Sequence, residues 1–456
     1  MTARTGAARL AFLDGKEGRE LLAGLYGEDE ADAQRLRFKR LAAGLLERNG
    51  GANERPLRWW TAAGRTELGG NHTDHNRGKV LAASVQFDAL AAVLGREDNK
   101  IIFRSTGFPD VQIDISDLSA RADERGTSEA LLRGVAAGMK ERGIGISGWE
   151  AEADSTVLPG SGLSSSAALE VLAAAIFDGL YGGGNLSAME LAKIAQKAEN
   201  IYYGKPSGLM DQAASAHGGA VFIDFSDPEN PAARRLPFDP GRAGYVLCVV
   251  NTGGSHAALT PHYAAVPAEM RAVAEYFGEK FLGDLSESVF YTALASEKRA
   301  RELREACGDR AILRAIHFFN ENRRVDSMVS AIDAMNAASG PKAVSLEFER
   351  FLDAVNASGA SSWELLQNCY PEDTPREEGL PLALALSRNF AANAGVKIAC
   401  RVHGGGFAGT IQAYIPAARF PAYRASLEAV FGKGSVSALK IRPIGAAEIA
   451  LLPIPN

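Results

Sequence analysis

An α+β protein of two domains is the fold class that the sequence predicts. The chain has 456 residues, more than one hydrophobic core ordinarily organises. Stretches with the two-residue alternation of half-buried strands are interleaved with stretches of helical spacing. No internal repeat and no low-complexity linker separates them, so the domain boundary is placed near residue 245 from the pattern alone. The expected division is a helical N-terminal extension over 1–55, an N-terminal domain over 56–245 and a C-terminal domain over 246–456.

Residues 17–50 predict helix, because Leu21, Leu22 and Leu25, then Leu36, Phe38, Leu41, Leu45 and Leu46, recur at helical spacing. Asn49-Gly50-Gly51 ends that region. A strand is expected at Leu57 to Ala62, leading into a segment rich in Gly and Asn. Residues 79–93 and 100–115 alternate as strands do. Ser164 to Leu180 reads as a buried helix behind three serines, which are good N-terminal capping residues. Leu186 to Tyr202 reads as a second helix, capped by Ser187 with Glu190 three residues on and broken at Gly204 to Gly208. Strands are expected at Ala220 to Phe225 and Tyr245 to Asn251, and helices dominate 266–338 and return at 378–395. Lys397 to Val402, Thr410 to Ile415 and Ala446 to Leu452 are expected as strands of a closing α+β domain.

Composition narrows the function classes. A net charge of −6 with 46% apolar and 23% charged residues describes a soluble globular chain and gives no basis for a nucleic-acid partner. The longest apolar runs, such as Tyr245 to Val250, are strand-sized and too short to span a membrane. Asp14, Lys16 and Glu17 stand where a signal peptide would need its apolar stretch, so a cytoplasmic protein is expected. Cys248, Cys307, Cys369 and Cys400 form no Cys-x-x-Cys pair, and no histidines cluster at metal-ligand spacing, which disfavours zinc.

Four segments carry unusual chemistry. Gly64 to Asn76 packs Arg65, His72, His75, Glu67, Asp74, Asn71 and Asn76 into one short stretch. Gly, Asn and Asp gather in turns for conformational reasons alone; the functional reading is a polyol site, with Asp74, His72 and Asn71 supplying acceptors and donors. Leu158 to Ala168 is a glycine-rich turn feeding a helix N-terminus, whose free N–H groups and positive dipole end bind phosphate. Its serine hydroxyls add donors, or an oxygen ligand for Mg²⁺. The segment is neither a Walker A loop nor a dinucleotide fingerprint, since no Gly-x4-Gly-Lys-Ser/Thr occurs and Ser165 stands where a third glycine would be. Glu199 precedes Gly204 to Gln212, so the Gly/Pro break can bring Glu199 and Asp211 to one pocket. His403 to Gly409 satisfies Gly-x-Gly-x-x-Gly at Gly404, Gly406 and Gly409, but a strand rather than a helix follows, which excludes a nicotinamide site.

In this order the segments resemble the signatures of the GHMP family of small-molecule kinases, and of its galactokinase branch in particular. Pro159 to Ala167 is similar to the family's phosphate loop, Pro-x3-Gly-Leu-Ser-Ser-Ser-Ala. Gly64 to Asn76 resembles Gly-Arg-x-Asn-Leu-x-Gly-Glu-His-Thr-Asp-Tyr-Asn, Gly204 to Gln212 resembles Gly-x-x-Cys-Gly-Ile-Met-Asp-Gln, and Gly404 to Gly409 resembles Gly-Gly-Gly-Phe-Gly-Gly. Among the departures are Asn71 for glutamate, His75 for tyrosine, Ser207 for cysteine and Ala408 for glycine.

The resemblance implies an S5-like N-terminal domain, a ferredoxin-like C-terminal domain and an active site between them. It implies Asp211 and Arg65 as the catalytic pair, and Pro159, Gly160, Ser161, Gly162, Leu163, Ser164, Ser165, Ser166 and Ala167 as the ATP phosphate loop. It further implies Ser166 and Glu199 as Mg²⁺ ligands, and Arg65, Asn71, His72, Asp74, Gly208, Asp211 and Tyr263 around the sugar. The implied reaction is phosphorylation of galactose at C1 by ATP. Another sugar phosphorylated at C1, or a non-catalytic sugar sensor, are the alternatives, and the sequence gives no oligomeric state.

Overall fold

The computed structural model describes residues 6–50, 56–157, 162–254, 259–373 and 376–449. Three helices, α1 (Gly6–Asp14), α2 (Lys16–Tyr26) and α3 (Ala31–Arg48), form the N-terminal extension. They lie on the first sheet: Leu21, Leu25, Phe38 and Leu45 share a cluster with Trp59, Leu90 and Leu94. A fully buried carboxylate fastens the join. Asp88 accepts hydrogen bonds from Tyr26 Oη (2.5 Å), Arg37 Nη1 (2.6 Å) and Arg442 Nη1 (2.8 Å), so the extension, the sheet and the C-terminal segment meet at one charge.

The first sheet contains β1 (Arg58–Gly69), β2 (Lys79–Gly95), β3 (Lys100–Ser105), β4 (Val111–Asp114), β5 (Trp149–Ser155), β6 (Ala220–Asp224) and β7 (Ala232–Leu236). The long strand β2 pairs β1 along one edge; its other edge takes β5 near one end and β6 near the other. Helices α4 (Ser128–Glu141), α5 (Ser165–Phe177), α6 (Ala188–Lys197) and α7 (Met210–His217) bury alanine-rich and aliphatic faces against this sheet. Small side chains such as Ala168, Ala174, Ala192 and Ala213 let these helices approach one another and the strands closely. The Ser187–Glu190 capping box is formed as the sequence predicts.

A second, antiparallel sheet has the order β11-β8-β10-β9, with β8 (Tyr245–Asn251) and later β9 (Ala399–Val402), β10 (Thr410–Pro416) and β11 (Val436–Leu439). Between β8 and β9 lie α8 (Thr260–Tyr276), α9 (Glu287–Ala295), α10 (Glu297–Cys307), α11 (Asp309–Ala337), α12 (Pro341–Ser361) and α13 (Gly379–Ala394); α14 (Phe420–Phe431) joins β10 to β11.

Three expectations change. β1 does not stop at Ala62 but runs on to Gly69, with irregularities between Ala63 and Arg65 and between Glu67 and Gly69. The first half of the Gly64 to Asn76 segment is therefore strand rather than loop. α12 lies where no helix is expected. Finally, β12 (Ala447–Glu448) pairs with β1 through Trp60 and Thr61 rather than closing the second sheet. The C-terminal strand therefore returns to the N-terminal domain. Among the described residues no helix is long and apolar enough to cross a membrane.

Candidate active site

The irregularity in β1 leaves Gly64 unpaired while Arg65 stays in register with Ser84, and the Arg65 backbone N–H donates to Leu163 O (3.0 Å). Its guanidinium then forks onto the first turn of α7, with Nε to Asp211 Oδ1 at 2.7 Å and Nη2 to Asp211 Oδ2 at 2.8 Å. Arg65 Nη1 also donates to the Gly162 carbonyl. Burial pushes the Asp211 carboxyl up, but the Arg65 charge and hydrogen bonds, with that from Ser164, hold it down to about 2. Asp211 is thus ionised at neutral pH.

Ser164 sits immediately before α5 in the left-handed region (φ 58°, ψ 69°) and makes no side-chain capping bond. Its hydroxyl donates to Asp211 Oδ2 instead. The first-turn N–H groups of α5 therefore lack the partner a serine usually gives them. A strained non-glycine residue ties the helix start to the carboxylate.

Glu199 lies in the wide turn Ala198–Tyr203 after α6 and is 2% exposed. Its Oε2 accepts from Ser207 Oγ (2.5 Å) and Gln212 Nε2 (2.9 Å). Its Oε1 accepts from Ser166 Oγ (3.2 Å) and Lys205 Nζ (2.8 Å). A hydroxyl and a carboxylate oxygen side by side suit Mg²⁺, which takes few protein ligands and completes its shell with phosphates and water. Behind them, Glu170 is fully buried; burial and the Glu199 charge push its carboxyl well above the usual range. Glu170 Oε1 and Gln212 Oε1 have no hydrogen-bond partner, so unsatisfied oxygens back the same spot.

Asp74 opens a short 3₁₀ turn and packs against Gly208 so closely that a Cβ there would lie 1.7 Å from Asp74 Oδ2. Opposite, three successive carbonyls of the glycine loop accept from residues of the other segments. Asn71 Nδ2 donates to Gly404 O (2.6 Å), His72 Nε2 to Gly405 O (2.9 Å) and Tyr263 Oη to Gly406 O (3.0 Å). Gly404 and Gly406 have φ of +66° and +80°, and a Cβ on Gly405 would be 2.5 Å from the Tyr263 ring, so glycine is required by conformation and by space.

Asn71, expected around the sugar, has its side chain turned into the protein. It is 1% exposed, and its polar atoms are engaged within the protein. Nδ2 donates to both oxygens of Glu67 (3.0 and 3.2 Å) as well as to Gly404 O, while Oδ1 accepts from Asn368 Nδ2 (2.8 Å). Glu67, also 1% exposed, is paired with the buried Arg401. The sequence motif carries asparagine at the position of Glu67 and glutamate at that of Asn71. The chain has exchanged the two, so a carboxylate and an amide still face each other.

The other expected residues fall into two groups. Arg65, Ser164, Asp211, Asp74 and Gly208 converge on one side of the Gly162 to Ala167 turn, and Ser166 and Glu199 on the other. Leu163 and Ala167 are buried beneath that turn, and Ser165 begins α5. Pro159, Gly160 and Ser161 lie outside the described residues. Sequence reading missed Gln212, Lys205, Asn368, Arg401 and His403. Gln212 and Lys205 stand inside a segment already singled out, but Asn368 and Arg401 carry no local signal.

Three neutral histidines hold these segments together. His72 donates to Gly405 O; His317 Nε2 donates to Asn71 O (2.9 Å); His403 Nε2 accepts from Glu67 N (3.3 Å), which leaves its proton on Nδ1 toward Thr410 Oγ1 (3.0 Å). Burial lowers all three, His72 to about 3 and His403 well below the ordinary value. Below pH ~6.5 the unfolded chain gains protons that these rings refuse, so stability falls as pH falls. Glu170 and Glu67, raised by burial, act with the opposite sign above ~4.5 and offset part of that loss. Below ~4.5 the depressed carboxyls of Asp211, Asp88 and Glu321, each held to about 2, add to the loss. Denaturant unfolding at pH 7.5, 5.5 and 4.0 is expected to show a slope of ~1.4 kcal/mol per pH unit per net proton, shallow at first and steeper below 4.5. Constant stability down to pH 4 would contradict these assignments.

Comparison with known proteins bears on the family and the fold. A model of the GHMP kinases N terminal domain matches residues 130–219, and one of the galactokinase galactose-binding signature matches 48–94. The galactokinase of Streptomyces coelicolor is 31% identical over 386 residues, covering 84% of this chain and 90% of that protein. That of Streptomyces lividans is 30% identical, covering 81% and 84%. Among solved structures, Lactococcus lactis galactokinase complexed with galactose superposes with a TM-score of 0.70 at 24% identity, covering 89% of this chain and 98% of that one. Methanococcus jannaschii mevalonate kinase does so at 0.54 and 12% identity, covering 85% and 99%.

Proposed function

Because the chain belongs to the galactokinase family of the GHMP kinases, we propose that it transfers the γ-phosphoryl group of ATP to the C1 hydroxyl of galactose. The observation that carries this reading is the Arg65–Asp211–Ser164 junction, where a charged carboxylate is bonded directly to the start of a phosphate-binding turn. An acceptor hydroxyl at Asp211 is thereby within reach of a phosphate on α5.

The geometry supports a role for each group in this reading. Asp211 orients the sugar hydroxyl and takes its proton, while Arg65 keeps Asp211 ionised and faces the charge that develops between the reactants. The Gly162 to Ala167 turn and the N-terminus of α5 hold the phosphates. Mg²⁺, held by Ser166 and Glu199, would neutralise phosphate charge when bound. Asp74, His72 and Tyr263 border the sugar side, with Gly208 kept small so that Asp74 can reach inward. Asn71 supports this side from behind.

The test is ATP consumption measured with galactose, glucose, N-acetylgalactosamine, arabinose and galacturonate, followed by identification of the phosphorylated carbon. Galactose is expected to rank first, with phosphate on C1. A higher kcat/KM for another sugar would reassign the substrate, and no turnover with any of them would favour a sensor.

A further inference from the structure

Lys205 has no part in the roles above, and the matching family motif leaves its position open. Its ammonium is 2.8 Å from Glu199 Oε1, the oxygen that also accepts from Ser166 at 3.2 Å. The other carboxylate oxygen is already taken by Ser207 and Gln212. Oε1 is thus the oxygen left for a cation. The side chain of Lys205 is 59% exposed and that of Glu199 only 3%, so a flexible stem reaches from solvent over a buried charge.

A divalent ion held by Ser166 and Glu199 needs the same Oε1. An ammonium 2.8 Å from Oε1 and a divalent ion on the same oxygen would repel each other, so each weakens the other's hold. We infer that Lys205 is a stand-in cation, holding Glu199 Oε1 while no divalent ion is present and released to the nucleotide phosphates when one enters. The inference rests on the reading of Ser166 and Glu199 as the metal's residues. Lys205 would then add its charge at the phosphates only after the metal is in place, which couples metal entry to charge neutralisation without any change of fold.

The test begins with Mn²⁺ binding to the nucleotide-free protein, followed by electron paramagnetic resonance. Lys205→Met is expected to bind Mn²⁺ about fivefold more tightly, the upper range for releasing a partly exposed ion pair. Arg125→Met is the control. Its stem lies 3.5 Å from the Cβ position of Gly204, so it removes a neighbouring charge that is not on Glu199. Its Mn²⁺ affinity is expected to stay unchanged. At saturating Mg²⁺, Lys205→Met is expected to bind ADP about fivefold more weakly, while in EDTA its ADP affinity matches the original protein. Unchanged Mn²⁺ affinity in Lys205→Met, or equal tightening in both variants, would overturn the competition. Unchanged ADP affinity at saturating Mg²⁺ would overturn the transfer to phosphate. Glu199→Gln with full Mn²⁺ affinity would instead remove the metal reading beneath both.

Discussion

Turnover of the Asp211→Asn protein is expected to fall by about 10²–10⁴-fold, with galactose binding largely retained. The carboxylate accepts three hydrogen bonds from Arg65 and Ser164, and these hold its ionisation near 2. So acidic a carboxylate is a weak base toward a sugar hydroxyl. It therefore orients the hydroxyl early and takes the proton late, once the bond to phosphorus has begun to acidify the oxygen. Asparagine keeps an acceptor for Arg65 and nearly the same shape, but removes both the proton acceptor and the charge. Galactose titration calorimetry separates the two effects, and a melting curve checks that Arg65 without its counter-ion has not unfolded the site. Undiminished turnover would remove Asp211 from the chemistry.

The second large effect concerns the exchanged pair. Asn71→Glu is expected to destabilise the protein by about 3–5 kcal/mol, the scale for leaving a buried charge uncompensated. It would set two carboxylates face to face with Arg401 as the guanidinium already committed to Glu67, and would turn an acceptor toward the Gly404 carbonyl. The double replacement Glu67→Asn with Asn71→Glu restores one carboxylate and one amide at the same contact. It is expected to recover most of the loss, with a coupling energy of about 1–3 kcal/mol in a double-mutant cycle from denaturant unfolding. Additive single effects would mean that the pair does not act as a unit.

This pair also marks the limit of reading the motif in one dimension. From sequence, Asn71 is a missing negative charge at the sugar. In the fold, the charge is four residues earlier, near the end of β1, and Arg401 supplies its counter-ion from 334 residues away. The Ser187–Glu190 cap and helix α5 were legible because their causes are local: a side chain reaching its own helix, and a run of residues that disfavours any other conformation. The start of α12 and the destination of β12 were not, because both depend on surfaces offered by distant strands.

By itself, the sequence determined the glycine-rich turn before α5 and the need for glycine at 404 and 406, and it allowed Glu199 and Asp211 to approach across the Gly204 to Gly208 break. Each follows from short-range backbone chemistry. Only the tertiary structure decided that Ser164 serves Asp211 instead of its helix, that the N-terminal extension is bolted to the sheet at Asp88, and that Asn71 is buried with its amide bonded to Glu67 and the Gly404 carbonyl. A hydrogen-bonding side chain has several possible partners along the chain, and packing selects among them by deciding which polar groups lose their water.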